Sequence, residues 1–168
     1  IDICTRASEQ TNKPVVVAND NCPGQIVISG DARALDRAIE LAQDAGIRKT
    51  VKLDVSIAAH SPLMASAEEA FLDAIEHVTF APSHAPVYAN TTADPLSDVN
   101  SIRTELRTQL THSVRWTESI QAMIDAGIDT FVEVGHGDIL SKLIRRIDRN
   151  TTRYSVENPD SLKALAAM

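Results

Sequence analysis

His60 stands where a side chain could work as a proton acceptor. It lies in DVSIAAHSPLM, residues 54–64. Val51, Leu53 and Val55 alternate with Lys52 and Asp54, and that run leads through small residues to the histidine, then to Ser61-Pro62 and a helical pattern. Such a path presents an imidazole at the mouth of a cleft. A loop histidine without chemistry fits the same stretch, because short motifs match by chance.

A histidine base needs a hydroxyl or thiol to activate. No serine stands in the strained G-x-S-x-G turn that exposes a nucleophile; Ser29, for example, has Val27 before it and Asp31 after it. Ser61 adjoins His60, and neighbouring side chains on an extended segment point apart. Cys22 has no base beside it in the sequence. The chain therefore offers a base and no nucleophile. The histidines at 60, 77, 84, 112 and 136 lack metal-ligand spacing with one another or with the cysteines, so no metal site is expected. Gly135-His136-Gly137, between a strand and a helix, has the form of an anion cradle. The third glycine of a dinucleotide fingerprint falls on Leu140, so a tight structural turn is the better reading.

The 168 residues fit one domain, or one domain with a small subdomain. With 43% hydrophobic and 23% charged residues, a packed core is expected rather than disorder. A net charge of −7 argues against a nucleic-acid surface. No apolar run is long enough to span a bilayer. Cys4 and Cys22 lack disulfide or zinc spacing, which points to a reducing, cytoplasmic setting. The chain opens Ile1-Asp2-Ile3-Cys4 as if inside a helix, with no initiator Met. We therefore expect a fragment that lacks an N-terminal segment.

A helix is expected to end near Pro14, followed by strands Val15–Ala18 and Ile26–Ser29 around the turn-rich NDNCPGQ. Asp31 is a good N-cap for a helix that Gly46 closes, and Val51–Val55 reads as the next strand. A helix, two strands, a helix and a strand suggest a ferredoxin-like small subdomain over residues 1–56. Beyond it come helical patterns after His60, from about Val99 to Gln109, and from Trp116 to Gly127. Strands are expected at Val87–Asn90, Thr130–Val134 and Thr152–Val156, with Thr91–Asn100 a polar loop and Val78–Ala85 irregular. A basic amphipathic helix spans Leu140–Ile147, and a short helix is expected at Leu162–Met168. Strands alternating with helices indicate an α/β fold with parallel strands.

Four stretches carry a resemblance. NDNCPGQIVISG, VSIAAHSPLM, QLTHSVRWTES and EVGHGDIL, in that order and spacing, resemble the malonyl-CoA:acyl-carrier-protein transacylases, relatives of the acyltransferase domains of polyketide and fatty-acid synthases. The resemblance implies an α/β-hydrolase-like large subdomain with an inserted ferredoxin-like one. Residues 57–168 would be the C-terminal part of the large subdomain.

The resemblance also implies malonyl transfer from malonyl-CoA to the phosphopantetheine thiol of acyl carrier protein, with no cofactor, in fatty-acid biosynthesis. The acyl group rides on a serine in a G-H-S-x-G elbow. By motif position His60 is the base, and the main-chain carbonyl of Gln109 orients its other nitrogen. Asn19 and Asn21 match asparagines near the acyl cleft; ordinary turn formation explains them equally well. The elbow serine, an oxyanion-site glutamine and a carboxylate-binding arginine precede the matched region, so the chain alone is expected to be inactive. Arg103 and Arg115 do not match that arginine. The family's G-P-G becomes Gly135-His136-Gly137. Two other readings stay open: an acyltransferase fragment of a polyketide synthase with another extender unit, and a non-catalytic ferredoxin-like module that docks a carrier. Lys142, Arg145 and Arg146 could meet an acidic carrier or form a solvated helix face.

Overall fold

The computed structural model describes residues 2–81 and 83–167 of the chain. Ile1, Pro82 and Met168 lie outside the described residues; on them fall the start of the expected opening helix, one proline of the irregular stretch and the end of the last predicted helix.

The architecture is mixed α/β. Helix α1 (Asp2–Thr11) leads into an antiparallel hairpin of β1 (Val15–Cys22) and β2 (Gln25–Gly30), and α2 (Ala32–Asp44) follows. Asp31 caps α2, its side chain accepting from Arg33 N at 2.9 Å. Cys4, Ala7, Val15, Ala34, Ala38 and Leu41 form the core between the two helices and the hairpin. Small residues on the facing helix sides let the backbones approach closely. The open end of the hairpin is tight as well: Gly30 pairs with Val15, and a Cβ there would sit 2.2 Å from Pro14 O.

The hairpin departs from the sequence expectation in one respect that matters. β1 continues to Cys22, so Asn19 and Asn21 are strand residues, and the turn shrinks to Pro23-Gly24, with Gly24 at φ +78°. Turn-forming residues survive in this strand because its register slips between Val17 and Asn19 and again between Asp20 and Cys22. Such bulges twist a strand and re-aim its side chains. Between the two slips, the outer edge of β1 takes up residues 113 and 114. Val114 N donates to Ala18 O at 2.8 Å, Asp20 N donates to Val114 O at 3.0 Å, and Asn19 bridges Val114 in parallel.

Residues 51–55 form no strand, against the alternation of their sequence. Val51, Leu53 and Val55 are all more than half exposed, at 65%, 58% and 61%. Alternation states which residues share a face, but a strand also needs a neighbour to receive its N–H and C=O groups. Among the described residues none lies alongside.

After His60 the chain enters a 3-10 helix (Pro62–Ala67) and then α3 (Glu68–Glu76), where a single helix was expected. β3 (Val87–Tyr88) pairs antiparallel with β4 (Pro95–Leu96), a strand hidden in the polar loop. Helices α4 (Val99–Thr108) and α5 (Trp116–Asp125) follow. β5 (Thr130–Val134), α6 (Ile139–Ile147) and β6 (Thr152–Val156) then make a parallel βαβ unit, and α7 (Pro159–Ala166) closes the chain. Helices α5 and α6 pack on β1, which ties this half to the hairpin.

Gly30→Ala forces its new methyl group against the Pro14 carbonyl, which is backbone and cannot step aside. We expect a loss of about 1–3 kcal/mol, read as a lowered urea midpoint with an unchanged slope.

Candidate functional site

The loop before His60 folds back on itself. Ser61 is fully buried; its hydroxyl donates to Ala58 O at 2.7 Å and accepts from Leu63 N at 3.3 Å, capping the 3-10 helix. The hydroxyl is thus committed to the turn and is no nucleophile for its neighbour. His60 itself adopts φ +56°, a left-handed backbone that few non-glycine residues take. Strain of this kind persists only where surrounding contacts enforce it.

Those contacts include one across 49 residues of sequence: His60 Nδ1 lies 3.0 Å from the main-chain oxygen of Gln109. A carbonyl oxygen can only accept, so in the neutral ring Nδ1 carries the proton and Nε2 keeps its lone pair. Gln109 is the C-cap of α4, and its own N–H donates to Glu105 O at 3.0 Å. Its carbonyl therefore belongs to the unsatisfied set at a helix end and is free to take a side-chain donor. The imidazole is half-buried.

The two asparagines sit apart from this pair. Asn19 and Asn21 lie on β1, half-buried, beside the segment that follows α4. Among the described residues no hydrogen bond joins either side chain to His60 or Gln109. The segment itself is well anchored. Ser113 Oγ donates to Val17 O, and Thr117 Oγ1 donates to Asp20 Oδ1 at 2.8 Å.

The structure adds residues that sequence reasoning missed. Asn90 Nδ2 donates to Gln109 Oε1 at 3.4 Å, and Asn90 N donates to the Glu105 carboxylate at 2.7 Å. A glutamate one turn before Gln109, on the helix face that Ile102 and Leu106 flank, was the available signal. Arg103 caps α3 through Ile75 O and Val78 O and stacks 4.9 Å over Phe80. Arg115 is clamped by Glu118 and by Thr91 O and Thr92 O, and the hydrogen bond to the Glu118 carboxylate holds its guanidinium above the usual pKa. Both arginines are already engaged within the chain.

Cys22 is also engaged in the fold. It is fully buried, and burial pushes its thiol pKa up, with nearby Arg146 offsetting this only in part. A thiol held protonated in this way is a poor nucleophile. Among the described residues no three His, Cys, Asp or Glu side chains converge as a metal site would require.

The turn Gly135-His136-Gly137 presents N–H groups to an anion, and the chain supplies its own. Glu157 accepts from Gly137 N at 3.0 Å, while Glu133 accepts from Leu140 N at 3.0 Å and Ser141 N at 2.8 Å. On α6, Lys142 pairs with Asp138 at 2.7 Å, and Arg146 reaches Gln25 and Pro23 O at the hairpin turn. Lys142, Arg145 and Arg146 are all exposed, and Arg145 with Arg146, Arg149 and Pro23 lines an open cavity of about 540 Å³.

Comparison with known proteins supplies the context. A family model described as an acyl transferase domain matches residues 4–158. The malonyl CoA-acyl carrier protein transacylase of Bacillus subtilis is 35% identical over 161 residues, 96% of this chain and 50% of that protein. The crystal structure of the malonyl-CoA:acyl carrier protein transacylase from Xanthomonas oryzae superposes with a TM-score of 0.92 at 39% identity, covering 99% of this chain and 52% of that one. A holo type II PKS acyl-carrier protein in complex with its malonyl-transacylase matches with a TM-score of 0.92 at 28% identity, over 99% of this chain and 53% of that chain. The chain spans about half the length of the curated relatives it matches.

Burial works against the charge on Glu133, but donation from Ser141 and Leu140 outweighs it and holds the carboxyl below its ordinary value of 4.5. A carboxylate with a lowered folded pKa stabilises above the unfolded value, and that stability is lost as pH falls through the folded one. Glu133→Gln should cost about 0.5–1 kcal/mol at neutral pH. In urea titrations the difference from the parent should shrink as the pH drops below 4.5.

Proposed function

The chain belongs to the acyl transferase domain family, and from that membership we propose that it is part of a malonyl-CoA:acyl carrier protein transacylase. The observation that carries this reading is the 3.0 Å approach of His60 Nδ1 to the Gln109 carbonyl. It leaves Nε2 as a base, which is the group the family's chemistry needs from this half of the protein. In this proposal the serine would come from outside these 168 residues, which span about half the length of the relatives.

In the proposed reaction His60 Nε2 takes the serine proton as the hydroxyl oxygen attacks the malonyl thioester carbon. The C–S bond breaks, and the imidazolium returns the proton to the departing CoA thiolate. The second half runs in the same sense. His60 takes the proton of the carrier's phosphopantetheine thiol, the thiolate attacks the malonyl-serine ester, the C–O bond breaks, and serine recovers the proton. No cofactor enters either half. The imidazolium formed in each half is held by the Gln109 carbonyl, which accepts from Nδ1 throughout.

Around that centre we read residues 1–56 as a ferredoxin-like small subdomain and residues 57–168 as the C-terminal part of the α/β-hydrolase-like subdomain. The helix–hairpin–helix order of α1, β1, β2 and α2 supports the first, and the parallel β5–α6–β6 unit supports the second. Asn19 and Asn21 are assigned to the acyl cleft by motif position. Malonyl-CoA and an acyl carrier protein are the partners, in fatty-acid biosynthesis. We place the protein in the cytoplasm; among the described residues no helix is long and apolar enough to cross a membrane.

His60→Ala in the complete protein should lower kcat about 10²–10⁴-fold, the usual worth of a general base. Labelled malonyl-CoA, a carrier protein and a complementary segment bearing the G-H-S-x-G elbow provide the assay. A loss below about tenfold would remove His60 from the mechanism. Absence of any labelled serine ester in the parent would remove the transacylase reading itself.

A further inference from the structure

Among the described residues Glu105 is the buried carboxylate, 9% exposed on the inner side of α4. No cation pairs with it there. Its Oε1 accepts from Asn90 N at 2.7 Å and Thr91 N at 3.1 Å, and its Oε2 accepts from Thr91 Oγ1 at 2.5 Å. Packing alone does not call for a charge at this place. An apolar residue of similar size generally serves stability as well or better, since a buried carboxylate bears a desolvation penalty. What the carboxylate offers is a set of short, charge-assisted bonds to one particular turn.

That turn is the one behind Gln109. Once Asn90 and Thr91 are fastened to Glu105, Asn90 Nδ2 reaches Gln109 Oε1 at 3.4 Å, and Asn90 O receives Arg115 N at 2.8 Å. Thr91 O, held by the same clamp, accepts from the Arg115 guanidinium. Gln109 is therefore gripped from two directions by one residue. The helix bond from its N–H runs to Glu105 O, and the amide of its side chain is met by the Asn90 that the Glu105 carboxylate fixes. The carbonyl between these two grips is the one that accepts from His60 Nδ1.

We propose that Glu105 is a positioning residue for the His60 base: by fixing the Asn90–Thr91 turn against α4 it aims the Gln109 carbonyl and so selects the Nδ1–H tautomer. This rests on the reading of His60 as the base. Glu105 touches neither the imidazole nor any reacting atom. Its effect passes through Asn90 and Gln109.

The test reads the tautomer directly. The complete protein is labelled with 15N-histidine, and the His60 ring resonances are assigned by their loss in His60→Asn. They are recorded at a pH where the neutral ring dominates. The parent should show Nδ1–H. In Glu105→Ala the ratio of Nδ1–H to Nε2–H should fall about three- to tenfold, as loss of about one net hydrogen bond predicts. Glu105→Gln, whose side-chain oxygen can still receive the Asn90 and Thr91 N–H groups, should restore most of the ratio. An unchanged ratio in a folded Glu105→Ala protein overturns the proposal. If that variant does not fold, Thr91→Val removes one of the three bonds, and an unchanged ratio there overturns it equally. A parent protein with the Nε2–H form overturns it as well. A parent with the Nδ1–H form, a Glu105-dependent ratio and no malonyl transfer would refute the transacylase reading while leaving this positioning role standing.

Discussion

One hydrogen bond sets the terms for the rest: the imidazole of His60 donating to the Gln109 carbonyl. A main-chain carbonyl cannot reverse its role, so the bond settles which ring nitrogen is basic. It also joins two distant parts of the chain, the loop after α2 and the end of α4. Each end of the bond needs its own support. On the histidine side the support is local: Ser61 folds its hydroxyl back onto Ala58 and holds His60 in a left-handed backbone. On the carbonyl side it is long-range. The C-terminus of α4 is fixed by the Asn90 turn, by Arg115, and by the docking of residues 113–117 along β1.

The bulges in β1 are part of that second support. A regular strand alternates its hydrogen-bonding edges without interruption, so its outer N–H and C=O groups fall at fixed intervals. Ala18 O and Asp20 N, two residues apart and so on the same edge, both meet Val114 beside the two slips in register. The hairpin thereby serves two neighbours, β2 on one edge and the segment after α4 on the other. Asn19 and Asn21, chemically suited to turns, are placed at the irregular part of the strand, where regular propensity matters least.

Local pattern made much of the fold legible. The Asp31 cap and the apolar spacing of α2, the TFVEV strand and the basic amphipathic α6 each carry their signal within one window, and the β5–α6–β6 unit follows from them. Features that depend on a distant partner were not legible. The alternation of Val51–Val55 predicts a face but not a neighbour, and without one the residues stay exposed. β4 is a two-residue strand defined only by its pairing with β3. Gln109 had no signal of its own, since a glutamine at a helix end is ordinary; the family resemblance singled it out. Glu105 has only its place on the apolar face of α4 as a signal, and the fold alone reveals the three donors converging on it.

The choice of a neutral carbonyl rather than a carboxylate beside His60 suits the reaction proposed for it. A carboxylate partner would favour the imidazolium strongly and raise the pKa of the ring. A base that must accept a proton from one group and return it to a departing thiolate works best when its pKa lies near the working pH. A carbonyl fixes the tautomer and steadies the imidazolium through a dipole, with a smaller bias toward the charged form. The carboxylate of Glu105, in the same network, is directed instead at the backbone of residues 90 and 91. Its hydrogen bonds thus act on the frame that holds the carbonyl, at one remove from the ring. This arrangement separates orientation from basicity, two properties that a single acidic partner would have to set together.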